Sequence, residues 1–137
     1  QEKTVFNSDG PMKIRIGYKA PRRIEDPVFG IAIHREDGLF CYGTNTHIDQ
    51  MEIGSVENEG EIAFTIDQLN LIESDYTLSI AVHAKDSNPY DYHHMFYPFR
   101  VRSKLKDVGV YRPTHSWDLS GTDSSAQTTK PLKQVSL

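Results

Sequence analysis

Hydrophobic and polar residues alternate with period two along most of this chain, and helical periodicity is scarce. In the stretch MKIRIGYK, Met12, Ile14, Ile16 and Tyr18 share one face, opposite Lys13, Arg15, Gly17 and Lys19. In VFGIAIHR, Phe29, Ile31 and Ile33 oppose Val28, Gly30, Ala32 and His34. EIAFTID groups Ile62, Phe64 and Ile66, and YTLSIAVHA groups Tyr76, Leu78, Ile80 and Val82 opposite Thr77, Ser79, Ala81 and His83. Turn-forming clusters separate the runs: Ser8-Asp9-Gly10-Pro11, Glu36-Asp37-Gly38, Asn58-Glu59-Gly60 and Asp86-Ser87-Asn88-Pro89. Short alternating strands at this spacing predict an all-β fold, an immunoglobulin-like antiparallel β-sandwich. One helical turn is expected over Asp67 to Glu73, as the crossover between the two sheets.

The pattern ends after VYRPTHSWDL, where small polar residues take over. The expected organisation is a sandwich domain over residues 1–119 and a tail over 120–137, mobile or packed on a neighbour. Trp117 stands beyond the last alternating run and needs a partner surface, in its own domain or in a second subunit.

Composition narrows the function classes. The 137 residues suffice for one domain with a real core, and 37% are hydrophobic and 10% aromatic, which is globular rather than disordered. A net charge of −4 without runs of like charge leaves no footprint for nucleic acid. No apolar run reaches membrane-spanning length, and the start, QEKTVFNSDG, lacks the apolar core of a signal peptide. The single cysteine, Cys41, excludes an internal disulfide and fits a reducing compartment. The expectation is a soluble, cytoplasmic domain.

The stretch SNPYDYHHMFYPFRV, Ser87 to Val101, concentrates aromatic and imidazole groups and invites chemistry. A metal is not expected: adjacent residues on a strand point to opposite faces, so His93 and His94 do not share an ion. HExxH and CxxC spacings are also absent from the sequence. There is no GxSxG elbow and no GxxxxGK[ST] loop, so neither nucleophilic catalysis nor nucleotide hydrolysis is expected of this chain, and no cofactor. Cys41 in LFCYG reads as an inert thiol.

Carbohydrate binding fits better. Sugars stack apolar C–H faces on flat rings and offer hydroxyls to imidazole, amide, carboxylate and guanidinium groups. On the outward faces, Gly30 and Ala32 on one strand and Thr77, Ser79 and Ala81 on another are all small. In an immunoglobulin-like topology these strands are antiparallel neighbours, giving a low trough with His34 toward one end and His83 toward the other. Tyr42, Tyr92, Phe96, Arg100 and Arg102 rim it in this reading, with Pro98 as a potential break in the last strand. Of the two adjacent histidines at most one meets the ligand, and His93 is taken as that one. The competing reading is structural. A small-residue face also accepts a second sheet from a partner subunit, and aromatics between Tyr92 and Phe99 also build cores, as Phe99 and Val101 are expected to do.

Three ordered stretches resemble one known family: DPVFGIAIHREDGLFCYGTNT, Asp26 to Thr46; YTLSIAVHA, Tyr76 to Ala84; and YDYHHMFYPFRV, Tyr90 to Val101. Together with the opening FNSDGPMKIRIGYKA, they are similar to the C-terminal polysaccharide-binding domain of the ATP-binding subunit of O-antigen ABC exporters, the Wzt family. The resemblance runs from about Val5 to Trp117. It implies an immunoglobulin-like sandwich that sits behind a nucleotide-binding domain, peripheral to the inner membrane through the transporter. Such a domain recognises a finished O-polysaccharide, often by the cap on its non-reducing end, and couples completion to export. The implied partners are the glycan, the nucleotide-binding domain, the transmembrane subunit and a second copy exchanging a C-terminal strand, here about residues 109–119. The alternative is a dimerisation or docking module without direct glycan contact.

Overall fold

Seven strands occupy the described residues of the computed structural model, which are 4–86, 88–119 and 127–137. They are β1 (Thr4–Asn7), β2 (Met12–Glu25), β3 (Val28–Arg35), β4 (Phe40–Asn45), β5 (Ser55–Ile66), β6 (Ser74–His83) and β7 (Pro89–Arg102). Each alternating run of the sequence falls on one of them, with only Asp67 and Ala84 lying one residue past the ends of β5 and β6. Five form one sheet in the order β1-β7-β6-β3-β4, and β2 and β5 form the other. All pairs are antiparallel except β1 with β7. This is an all-β sandwich, and β3 and β6 are antiparallel neighbours, with Ala32 opposite Ser79 and Gly30 opposite Ala81.

Alternation delivers the core. Ile31 and Ile33 of β3, Tyr76 and Leu78 of β6, and Phe99 and Val101 of β7 point inward onto Met12 and Ile14 of β2. Tyr76 stacks on Phe99 with ring centroids 5.5 Å apart, and Phe6 meets the same ring edge-on. Burying an aliphatic side chain of the size of Ile33 or Val101 contributes about 1.5–3 kcal/mol.

Three expectations are corrected here. Asn58-Glu59-Gly60 is not a turn but part of β5, paired with Ala20, Lys19 and Tyr18 of β2 beside a register shift. No helix occurs among the described residues, so none is long and apolar enough to cross a membrane, and Asp67 to Glu73 forms no helical turn. Leu69 and Leu71 are both buried, on either side of Asn70, whose φ of 58° lies in the left-handed region. Their segment is held by Leu69 N–H to the Gly10 carbonyl, Asn70 N–H to Ser8 and Ile72 N–H to Val110. Backbone partners from distant chain segments on both sides thus take the place of the bonds within a helical turn. Nor does Pro98 break its strand: β7 runs through it to Arg102. At Pro98 the far side of β7 is still a free edge, because β1 pairs only from Phe99 onward, and an edge is where a strand tolerates a missing N–H.

Beyond β7 the chain returns to the body once more, through Arg112 N–H to the Asn70 carbonyl. Past it, Trp117 is 95% exposed. The tail expected over 120–137 lies outside the described residues at 120–126, and residues 127–137 carry no regular secondary structure.

Candidate functional site: the outer face of the five-stranded sheet

The outward positions of β3, β4 and β6 are short. Register puts Gly43, Ala32 and Ser79 in one row across the sheet, and Gly30 beside Ala81 in the next. Side chains stand roughly perpendicular to the sheet, so these positions leave a low floor.

One wall is made by Phe40 and His34. The two residues are register partners, with ring centroids 4.7 Å apart. The Phe40 ring also extends over Gly43, whose missing Cβ leaves it room; a methyl there would lie 2.8 Å from Phe40 Cζ. The opposite wall is Tyr92 and His94. Tyr92 lies beside Ala81, and its hydroxyl is 2.6 Å from Nδ1 of His94. The two walls converge, because His94 and His34 meet edge to face with centroids 5.8 Å apart.

Two irregularities build these walls. Between Ile33 and His34, β4 carries one extra residue, since Ile33 pairs with Tyr42 but His34 with Phe40. One extra residue inverts the alternation. Phe40 therefore faces outward while Tyr42, paired with Ile33, takes the core-facing side at the sheet edge. In β7, Leu78 pairs with Tyr97 and Ile80 with His93, so three residues, His94 to Phe96, oppose Ser79 alone. The middle one, Met95, has φ 50° and donates its N–H to the Ser79 hydroxyl at 2.7 Å. This loop out of the ladder carries His94 across the floor toward His34.

His83 closes the trough at one end, its Nδ1 2.6 Å from the Ala84 carbonyl oxygen. At the other end Asp75 pairs with Arg100, Nη1 to Oδ2 at 3.1 Å. Arg102 lies one step further out, opposite Asn7 of β1, away from the floor. Two polar atoms near the His34 wall have no protein partner: His34 Nδ1 and Thr77 Oγ1 are buried and unbonded, on side chains that are register partners. His34 is only 8% exposed.

Of the residues expected from sequence, the structure thus groups His34, Tyr92 and Ser79 around one floor, with His83 and Arg100 at its ends. Ser79 is 2% exposed and its hydroxyl is engaged by Met95, so it shapes the floor rather than offering a free group. Tyr42 does not rim the trough, for the bulge reason above. His93 points the other way, into the space between the sheets, with Nδ1 2.6 Å from the Tyr97 hydroxyl and Nε2 3.2 Å from Asp91. Phe96 contacts His93 and Tyr97, not the outer walls. Sequence reasoning missed Phe40 and His94. For His94 a signal existed: with Phe99 and Val101 assigned to the core, every odd position of that strand points inward, and the two extra residues at the bulge preserve this parity. For Phe40 no such signal exists, because nothing in LFCYG announces the extra residue.

A second concavity, a cleft of about 570 Å³, runs between the sheets along the free edge of β2 and includes Tyr18, His93 and Tyr97. The outer trough has flat rings on both sides, imidazole and hydroxyl groups among them, and a floor of small residues that Phe40 overlies at Gly43 and His94 crosses toward His34. That is a surface for laying down a ring with one apolar side and several hydroxyls.

The family model described as "Wzt C-terminal domain" matches residues 1–113. The chain belongs to the Wzt C-terminal domain family. Its five- and two-stranded sandwich fits a solved member of that family, described as the crystal structure of the C-terminal domain of wzt, with a TM-score of 0.72 and 24% identity. The superposition covers 82% of this chain and 71% of that one. The curated relative is an O-antigen export system ATP-binding protein, RfbB, of Myxococcus xanthus, 25% identical over 113 residues. That alignment covers 82% of this chain and 25% of the relative, so the chain spans about a quarter of its length.

Proposed function

We propose that this domain recognises O-antigen polysaccharide without catalysis, at the modified non-reducing terminus, and so couples chain completion to export by the transporter. The observation that carries the reading is the outer trough: a floor of Gly30, Ala32, Gly43 and Ala81 between the Phe40–His34 and Tyr92–His94 walls. A sugar ring laid there stacks on the aromatic walls and exchanges its water contacts for imidazole and hydroxyl partners. Such exchanges give a small net gain each, so one site binds modestly. The domain works behind a nucleotide-binding domain that carries the ATPase, next to a transmembrane subunit, on the cytoplasmic side of the inner membrane.

A homodimer gives two sites, and effective affinity rises if one polymer or adjacent polymers engage both. Two features support pairing through the C-terminal segment. β2 has one unpaired edge bordering the inter-sheet cleft, and Trp117 beyond the last strand is exposed. A strand of residues 109–119 from a second copy would give both a partner.

The test is a titration of the isotope-labelled domain with the O-polysaccharide of the producing bacterium, with and without its terminal modification. Amide shifts confined to β3, β4, β6 and β7 outer positions, and lost with the cap, are expected. Unchanged spectra at saturating polymer favour a docking module instead.

A further inference from the structure

We infer that the trough selects an uncharged sugar terminus, and that Asp75 enforces the selection by holding Arg100; this deepens the glycan reading and rests on it. Asp75 and Arg100 are opposite each other in the β6–β7 ladder, on the outer face. They stand one step beyond Thr77 and His34, about 7 Å along the strand. Their side chains are 24% and 38% exposed, so the pair is partly withdrawn from water.

The consequence follows from charge. A phosphate or carboxylate on a sugar is best recognised by a guanidinium with its fork free. Arg100 is the cation that register turns outward at this end of the floor, and one of its nitrogens is already 3.1 Å from a carboxylate oxygen. An incoming anion would have to displace that carboxylate or sit beside it, and the like charge opposes both. Among the described strand residues that register turns outward between this pair and His83, there is no other Asp, Glu, Lys or Arg. Arg102 is a further step away along β7. The groups that remain are imidazoles, a phenol, a hydroxyl and aromatic rings, which suit hydroxyls and C–H faces.

Calorimetry with the polysaccharide released from the producing bacterium tests the class directly. Its affinity should stay within about twofold between about 50 mM and about 500 mM NaCl, because an uncharged terminus leaves little Coulomb energy to screen. A loss of about tenfold or more over that range would overturn the inference while leaving glycan recognition standing. Absence of binding at either salt concentration would overturn the glycan reading itself, and this inference with it. The role of Asp75 is tested separately with polygalacturonate as an anionic probe. Asp75→Asn, shown by its melting curve to be folded, should bind it about tenfold more tightly than the wild type at low salt, and lose the gain at high salt. A folded Asp75→Asn domain with no gain would overturn the gating role.

Discussion

The Ser79 hydroxyl accepts the backbone N–H of Met95 at 2.7 Å, and Met95 holds a left-handed φ of 50°. A residue of β6 thereby fixes an irregularity in β7 that swings His94 over the sheet. A non-glycine residue in that region is strained by about 1 kcal/mol or more, and it persists only where its surroundings hold it. The bond from Ser79 is the visible restraint.

Ser79→Ala removes that restraint and leaves the Met95 amide without its partner. The expected cost is about 1 kcal/mol of stability, and glycan affinity should fall by about fivefold or more as His94 loses its place. Urea denaturation and calorimetry read the two effects. A variant with full affinity shows that the loop does not need this bond.

His94 and His93 are neighbours with opposite fates. His94→Ala opens the wall shared with His34 and should lower glycan affinity about tenfold, whereas His93→Ala, on the far side of β7, should change it less than about twofold. Equal losses would place the site elsewhere.

Gly43 is small because Phe40 lies across it. Adding a methyl group at 2.8 Å from Phe40 Cζ forces the ring aside, and the ring, which is exposed, gives way cheaply. Gly43→Ala should therefore weaken binding about fivefold while altering stability by less than about 1 kcal/mol. Loss of the fold, or unchanged affinity, would contradict the assigned position of Phe40.

Tyr76 donates its hydroxyl to the Ile72 carbonyl at 2.5 Å from inside the core, and burial pushes its phenol up from 10.0 to about 12. A raised value means that the folded state keeps the proton longer than the unfolded one. The associated stability is fully present below pH 10.0 and is lost as pH rises through about 12. Tyr76→Phe should cost about 1 kcal/mol at neutral pH and then decline less steeply than the wild type across that alkaline window. Parallel declines in urea midpoints would remove Tyr76 as the cause.

Removing residues 113–137 leaves the Arg112 to Asn70 bond intact and deletes Trp117. Light scattering should report a folded monomer in place of a dimer. A truncated domain that remains a dimer would exclude the C-terminal segment as the link.

How much of this was legible beforehand depends on parity. Strict alternation in MKIRIGYK, VFGIAIHR and YTLSIAVHA decided which residues face inward, because a strand offers only two faces and the core claims one. The small floor of Gly30, Ala32 and Ala81 followed, and so did the place of β3 beside β6. The orientation of His94 was available by the same count from Phe99 and Val101.

The complete walls were not available: His34 and Tyr92 followed from the pattern, but the outward turn of Phe40 and the approach of His94 to His34 depend on contacts between strands distant in sequence. The extra residue in β4 turns Phe40 outward and Tyr42 inward only because β3 sets the register against it. The looped-out Met95 is held by a hydroxyl on another strand, and Arg100 is neutralised by an Asp75 that lies 25 positions earlier in the chain. Local alternation needs only the chain's own stereochemistry, so the sequence alone determined the fold class and the floor. Bulges and ion pairs between strands are fixed by which partner meets which residue, and that is decided only when the sheet assembles.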